Sequence, residues 1–117
     1  MNHTTFIEKL YLRVDNRDLD GLATFLAEGV RFRFANHPPV VGKQAVLEAN
    51  RAFFDSIAAM NHIVEHVFTD GDWVICDGRV QYVRLDGTTT TATFATVLRL
   101  DADRIVEYLI YADLSAL

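Results

Sequence analysis

Residues 73–100 decide the fold of this chain, and their sequence is WVICDGRVQYVRLDGTTTTATFATVLRL. Apolar and polar side chains alternate on both sides of Asp86-Gly87, which is typical of strands with one buried face. An Asp-Gly pair is a strong hairpin signal, because the favoured tight turns need positive φ at their central residues. The segment therefore predicts two long antiparallel strands, Trp73–Leu85 and Thr88–Leu100, joined by a short turn.

Two further strands flank this hairpin in the chain. The period of two begins at Met60–Phe68, which a turn at Thr69-Asp70-Gly71-Asp72 separates from the hairpin. After a second turn at Asp101-Ala102-Asp103, the final strand runs over Arg104–Asp113. Strands that follow one another through short turns pair antiparallel, so we expect a curved antiparallel sheet.

The N-terminal part of the chain predicts a helical hairpin. Apolar residues recur at helical spacing over residues 4–15, which indicates an amphipathic helix. Asp18 suits an N-cap, since its carboxylate can accept from the free N–H groups of the next turn. A second helix is expected from there to about Ala27. Gly29 is its expected stop, because glycine tolerates the left-handed conformation that often closes a helix.

A short strand and a third helix complete the pattern. Val30–Phe34 alternates as a strand, and Asn36-His37-Pro38-Pro39 ends it because proline has no N–H for a ladder. The third helix is expected from Gly42 to about Ile57. Helices that precede a run of strands indicate an α+β fold. We expect a cone-shaped curved antiparallel sheet wrapped around the helical hairpin and the third helix, as in a cystatin-like α+β barrel.

Composition and charge exclude several classes of partner. At 117 residues, of which 50% are hydrophobic, the chain is expected to form one domain over residues 1–117. The net charge is -5 and the basic residues form no run, so neither nucleic acid nor a membrane surface is an expected partner. No apolar run approaches the ~20 residues of a membrane span, and a charge interrupts the apolar part of the opening MNHTTFIEKL, unlike a signal peptide. The single cysteine, Cys76, forms no internal disulfide, so a reduced cytoplasmic protein is expected.

The final strand is apolar on both faces. One face carries Glu107 and Asp113 among apolar residues, and the other carries only apolar and aromatic ones: Val106, Tyr108, Ile110 and Ala112. Both faces should therefore be covered. The helices cover one, and we expect a second subunit to cover the other in a homodimer. The open end of the cone is the expected pocket for a small hydrophobic molecule.

Three segments carry a family resemblance: Asn36–Lys43, Thr96–Arg99 and above all Arg104–Asp113. Together with the order of the elements, they resemble the nuclear transport factor 2-like superfamily, which includes ketosteroid isomerase, limonene epoxide hydrolase and the SnoaL-like polyketide cyclases. The match is closest to the SnoaL-like group and covers nearly the whole chain. SnoaL-like cyclases use an aspartate at the end of the last strand as acid/base in an intramolecular aldol closure, and Asp113 falls on that position.

Asp113 is accordingly the leading catalytic candidate. It ends a mostly apolar strand, and a carboxylate at an apolar pocket should have a raised pKa, as a general acid/base near neutral pH requires. Tyr111 should point the same way and can donate to a substrate carbonyl. His62, near the start of its strand, is expected to line the pocket and exchange a proton with Asp113.

The remaining candidates are expected to bind the substrate. Tyr11 lies on the apolar stripe of the first helix and offers a phenol. Asn36 ends the first strand near the open end of the cone and offers an amide. Aromatic lining is expected from Phe34, Phe54 and Phe94. Each also has a purely structural alternative, as a core ring or as turn chemistry.

No metal or cofactor site is predicted. His62 and His66 share one face of a strand but stand roughly 13 Å apart, at ~3.3 Å per residue, which is too far for one ion. Zinc would also need a third ligand. The chain has no nucleophile elbow of the Gly-x-Ser-x-Gly kind, no phosphate loop and no dinucleotide glycine fingerprint.

Two functions remain open from the sequence. One is a cofactor-independent isomerase, cyclase or lyase-type enzyme, epoxide opening included, that transfers protons on an apolar carbonyl compound. The other is a non-catalytic module that binds a hydrophobic ligand or serves to dimerise. An Asp113 carboxylate inside a closed cavity, next to another polar side chain, favours the enzyme, and a solvated Asp113 favours the module.

Overall fold

The computed structural model describes residues 3–117 of the chain. The elements are α1 (Thr4–Asp15), α2 (Leu19–Ala23), β1 (Leu26–Phe34), β2 (Val40–Val41), α3 (Lys43–Asp55), β3 (Ile57–Asp70), β4 (Trp73–Arg84), β5 (Thr89–Asp101) and β6 (Arg104–Ala112). None of the helices described over this range has the length and apolarity needed to cross a membrane.

Over the described part of the chain, six strands form one curved sheet in the order β2-β1-β6-β5-β4-β3. Neighbouring strands pair antiparallel except β1 and β6, which run parallel. The predicted α+β class is confirmed. The expected curved antiparallel sheet is present, with β1 and β6 as its one parallel pair among the described strands. The sheet is also not closed as a barrel would be, since β2 and β3 lie at its two edges.

The predicted second helix is much shorter than expected. Asp18 does cap it, as its side chain accepts from the Gly21 amide at 2.9 Å. The helix ends at Ala23 rather than near Ala27, and β1 passes straight through Gly29. Pairing with β6 explains the difference: Leu26 is already in register with Ile105, and this long-range partner overrides local helical spacing.

The Asp-Gly hairpin lies where the sequence predicts it, with one more residue in its loop. The Arg84 amide donates to the Thr88 carbonyl at 2.7 Å, which leaves three residues, Leu85 to Gly87, in the turn. Of these three turn residues, only Gly87 has a positive φ, at 88°. Asp86 accepts from the Thr88 amide and hydroxyl, and these hydrogen bonds lower its pKa. The turn is therefore the glycine-ended three-residue type.

The core lies between the helices and the concave face of the sheet. Helix α1 buries an apolar stripe of Ile7, Leu10, Tyr11 and Val14. Strands β4 and β5 bury their even-numbered residues, as the alternation predicts: Val74, Cys76, Val80, Tyr82, Phe94, Thr96, Leu98 and Leu100. Cys76 is fully buried, and burial raises the pKa of its thiol to about 11. Cys76 is therefore a core residue.

Gly78 fits β3 against β4 at a bulge. It is a buried residue of β4 that pairs with Val64, and the register of β3 shifts between Val64 and His66. A Cβ on Gly78 would collide with the carbonyl oxygen of Ile63 and lie 2.9 Å from its carbonyl carbon. These are backbone atoms, so the strand itself would have to move. The bulge and the absence of a side chain at Gly78 together bend the sheet here.

We predict that Gly78→Ala destabilises the fold by about 1–3 kcal/mol, because the added methyl group overpacks against the β3 backbone. Gly29→Ala is the matched control, since nothing lies within 4 Å of a Cβ at Gly29. That change should be neutral or stabilise the fold slightly. Urea unfolding followed by circular dichroism measures both. Equal effects of the two substitutions would show that the β3–β4 contact does not depend on Gly78.

Candidate functional site

An apolar cavity lies between α1, α3 and the concave face of the sheet. Its volume is about 30 Å³, enough for a water molecule or two. Aromatic rings make up much of its wall: Tyr11, Phe32, Phe34, Phe53, Phe54, Tyr82, Phe94 and Tyr108. Polar groups among its lining residues come from His62, Asn50 and the tyrosines. The structure thus brings together Tyr11, Phe34, Phe54, Phe94 and His62, five of the eight residues that the sequence nominates.

His62 reaches the cavity wall in a fixed orientation. Its Nδ1 lies 2.6 Å from one carboxylate oxygen of Asp15, and its backbone amide donates to the other at 2.9 Å. The imidazole also packs on the Tyr11 and Phe94 rings, with centroids 4.4 Å and 5.0 Å away. Both members of the pair are largely buried, with 9% of the His62 side chain and 20% of the Asp15 side chain exposed.

This arrangement determines which nitrogen of His62 is available for chemistry. With Asp15 ionised, Nδ1 carries the hydrogen and donates it, so Nε2 is the basic atom of the neutral ring. Within residues 3–117, no hydrogen bond reaches Nε2. A neighbouring carboxylate also stabilises the imidazolium that forms when Nε2 takes a proton. Nε2 is therefore the atom of the His62–Asp15 pair that can exchange a proton.

Tyr82 and Tyr108 add two phenols to the same cavity. Only 3% of Tyr82 and 1% of Tyr108 is exposed. Both side chains line the cavity, and no hydrogen bond within residues 3–117 engages either hydroxyl. Burial raises the pKa of Tyr82 to about 12 and raises that of Tyr108 further. Both phenols therefore stay protonated and can only donate or accept as neutral groups.

The hydroxyl of Tyr11 is already committed to the protein. It lies 2.5 Å from the Thr96 hydroxyl, and Cys76 is beside it. Burial is the main reason that the pKa of Tyr11 is raised well above its usual value. The ring of Tyr11 lines the cavity, while its polar end is anchored in the core.

Asp113 does not lie in the cavity, and the expected rise in its pKa was wrong. The residue is fully exposed and follows the end of β6, where its carboxylate accepts from the Ser115 amide at 3.0 Å. That hydrogen bond lowers the pKa of Asp113. The apolar pocket that would raise it is lined from the opposite face of β6, by Tyr108, Ile110 and Ala112.

Tyr111 and Asn36 are also away from the cavity. Tyr111 lies on the outer face of the sheet, where Arg33 donates to its hydroxyl at 2.6 Å and stacks over its ring. Asn36 is exposed in the turn after β1. Its neighbour His37 packs on Phe34 instead, with ring centroids 6.1 Å apart.

His66 and His62 point to opposite faces of β3, contrary to the expectation that they share one. The bulge between Val64 and His66 reverses the alternation, so His66 pairs with Asp77 on the outer face at 2.8 Å. Each imidazole thus has its own carboxylate partner, Asp15 for His62 and Asp77 for His66.

A larger groove opens directly outside the cavity. Its volume is about 960 Å³, and four residues line both spaces: Phe32, Phe34, Ala49 and Phe53. Phe34 and Phe53 meet edge to face, with ring centroids 4.7 Å apart. The outer wall comes from the β4–β5 turn and from the residues after β6, including Leu85, Leu114 and Leu117.

Sequence reasoning missed Asp15, Tyr82 and Tyr108 as site residues. Asp15 follows Tyr11 by four residues, a spacing that places both on one helix face, and this signal was available. In the sequence pattern, Tyr82 and Tyr108 occupy inward-facing positions of their strands, as core residues do. Only their place in the cavity wall distinguishes them from ordinary core tyrosines.

The comparisons with known proteins agree with this architecture. The profile of the SnoaL-like domain matches residues 7–108. An NTF2-like protein of unknown function from Burkholderia pseudomallei K96243 superposes with a TM-score of 0.87 at 22% identity, covering 97% of this chain and 92% of that one. No match was found among curated proteins.

Two other solved structures share the fold. One, from Jannaschia sp. CCS1, is described as a SnoaL-like polyketide cyclase, with a TM-score of 0.85 and 20% identity over 97% of this chain and 87% of that one. The other, from Catenulispora acidiphila DSM 44928, has a ketosteroid isomerase-like fold and was solved with trimethylamine. Its TM-score is 0.87 at 16% identity over 96% of this chain and 88% of that one. The chain belongs to the SnoaL-like domain family and has the nuclear transport factor 2-like fold.

Proposed function

We propose that the protein is a cofactor-independent enzyme that transfers a proton on an apolar carbonyl compound, with His62 as the acid/base. One observation carries the proposal: an imidazole oriented by Asp15 lines an apolar cavity, and its Nε2 is free of protein partners among the described residues. Apolar surroundings and oriented polar groups are what proton transfer in a water-poor site requires.

The chemistry follows from the positions of these groups. Nε2 of His62 removes a proton from the carbon next to the carbonyl, and Asp15 stabilises the imidazolium. The electron pair moves onto the carbonyl oxygen, where the neutral phenols of Tyr108 and Tyr82 donate hydrogen bonds. Return of the proton to another carbon gives isomerisation, attack of the enolate on a second carbonyl gives cyclisation, and loss of a leaving group gives elimination. Asp113 takes no part in these steps.

Non-catalytic binding of a hydrophobic molecule is the second candidate. Two observations favour it: the solvated Asp113 and the narrowness of the cavity beside a much larger apolar groove. A ligand that enters from the groove reaches the cavity past Phe34 and Phe53, which line both spaces. The two candidates differ in whether the His62–Asp15 pair exchanges protons with the bound molecule.

We predict that the protein catalyses exchange of hydrogen for deuterium next to the carbonyl of a ketone that binds it. A panel of cyclic, aryl and straight-chain ketones in D₂O, followed by mass spectrometry, measures the exchange. His62→Gln should slow it by about 100- to 10,000-fold, the usual contribution of a general base. Asp15→Asn should slow it less than this, because the ring remains and only its orientation and charge partner change.

Asp113→Asn is the control for this experiment, because the carboxylate is exposed on the other side of β6 and the side-chain oxygen of asparagine can still accept from the Ser115 amide. Its exchange rate should equal that of the unmodified protein. Exchange that survives in His62→Gln but is lost in Asp113→Asn would contradict the proposal. Ketone binding with no exchange in any variant would favour the non-catalytic alternative.

Tyr108 and Tyr11 give a matched test of the hydrogen-bond donors. Tyr108→Phe should slow exchange by about 100- to 1,000-fold, as expected for losing a donor to the developing oxyanion. Tyr11→Phe removes a hydroxyl that is already bonded to Thr96, so it should lower stability and leave the rate per folded molecule nearly unchanged. The reverse pattern, with exchange lost only in Tyr11→Phe, would assign the donor to Tyr11. Thermal unfolding of both variants separates stability from rate.

We also propose that the outer face of the sheet forms a homodimer. Register places Phe68, Ile75, Val97 and Leu109 side by side across β3, β4, β5 and β6 as an apolar row. Phe68 is 59% exposed and Ile75 is 38% exposed. Charges of both signs surround the row, among them Arg79 with Glu65. A patch with both signs can match its own copy across a two-fold axis.

Ile75→Glu should convert such a dimer to monomer, because it places a charge in the centre of the apolar row. Leu12→Glu is the control, since Leu12 is 55% exposed on α1, away from the sheet face. Analytical ultracentrifugation over a range of concentrations measures the mass. A protein that is monomeric without any substitution would refute the dimer.

A further inference from the structure

The cavity and the groove adjoin each other and differ greatly in size. The cavity beside His62 holds about 30 Å³ and the groove outside it about 960 Å³. Ligand pockets usually measure roughly 300–1,000 Å³, so the groove, not the cavity, has room for most of a ligand. Phe34 and Phe53 lie on the boundary between the two spaces. A molecule that reaches His62 from the groove therefore leaves the larger part of its volume in the groove.

The groove is apolar along most of its length. Pro38, Val40, Leu85, Leu114 and Leu117 line it together with the phenylalanines that it shares with the cavity. Its polar lining residues include His37, Ser56, Arg84 and Asp86. Two of these are used within the protein, since Arg84 bonds to the residues around it and Asp86 bonds to Thr88. This lining suits a hydrocarbon chain better than a charged group.

The segment after β6 supplies one wall of the groove and is held by specific hydrogen bonds. Arg84 donates to the Ala116 carbonyl at 2.5 Å. The Asp113 carboxylate accepts from the Ser115 amide, and the Leu117 amide donates to the Leu114 carbonyl at 2.9 Å. These contacts shape a turn that presents Leu114 and Leu117 to the groove. Asp113 thus has a structural role in forming this wall.

We infer that the substrate is an amphipathic carbonyl compound whose hydrocarbon chain lies in the groove, with Leu114 and Leu117 as the residues that select for chain length. The inference rests on the proposed function for the position of the carbonyl end. The chain contributes affinity by burying methylene groups against these leucines, and the carbonyl passes between Phe34 and Phe53 to reach His62 and Tyr108.

Straight-chain methyl ketones, from methyl ethyl ketone to methyl octyl ketone, are the probes. Their binding is measured by NMR titration of the protein, without any need for turnover. Affinity should rise by up to about fourfold for each added methylene, the gain from fully burying one such group. In Leu114→Ser/Leu117→Ser the affinity of the short ketones should stay the same and the rise with length should flatten. Leu12→Ser, on α1, should keep the full rise.

Arg84→Gln provides a second variant that leaves the leucines intact. It removes the donor to Ala116, so the turn should loosen and the preference for long chains should weaken while the melting temperature changes little. An affinity independent of chain length in the unmodified protein would overturn the inference. So would affinity that falls as the protein dimerises, because a second copy would then cover the groove.

The result is separable from that for the proposed function. If His62→Gln leaves proton exchange unchanged but affinity still rises with chain length, the groove inference stands and the catalytic role of His62 fails. If exchange depends on His62 but affinity is flat with chain length, the catalytic proposal stands and the groove inference fails.

Discussion

The opposite orientations of His62 and His66 depend on the close approach of the β3 backbone to Gly78. No side chain fits between them, and β3 responds with a bulge that reverses its alternation after Val64. Before the bulge, His62 faces α1 and meets Asp15. After it, His66 faces outward and meets Asp77. A strand without this irregularity would place both imidazoles on the same face.

Asp15 illustrates how the fold keeps a charge near an apolar cavity. Removing a carboxylate from water costs free energy unless hydrogen bonds from the protein replace those to water. His62 supplies two of them, from its backbone amide and from Nδ1, one to each carboxylate oxygen. The same two bonds fix the ring against Tyr11 and Phe94. The carboxylate is thereby satisfied by the residue that it orients, and a single pair accounts for both stability and geometry.

The sequence predicted the strands and the Asp-Gly hairpin well, because strand alternation and turn chemistry are local properties. It placed Tyr108 and Asp113 correctly on opposite faces of β6. The choice of which face lines the pocket was wrong for a physical reason: both faces are apolar, so alternation alone does not say which one the helices cover. In the structure, the face that lines the cavity is the one that carries Tyr108, Ile110 and Ala112. Bulges are equally invisible in the pattern, and the one in β3 changed the prediction for His66.

The burial of Cys76 in the core protects its thiol from chemical modification in the native protein. The thiol is fully enclosed beside Tyr11 and Thr96, and burial keeps it protonated at neutral pH. Alkylating reagents react with the thiolate. In the native protein, enclosure keeps these reagents away from Cys76, and the raised pKa keeps its sulfur protonated. The chain has no other cysteine. The rate at which Cys76 is alkylated therefore reports how often α1 and the sheet separate and expose the thiol.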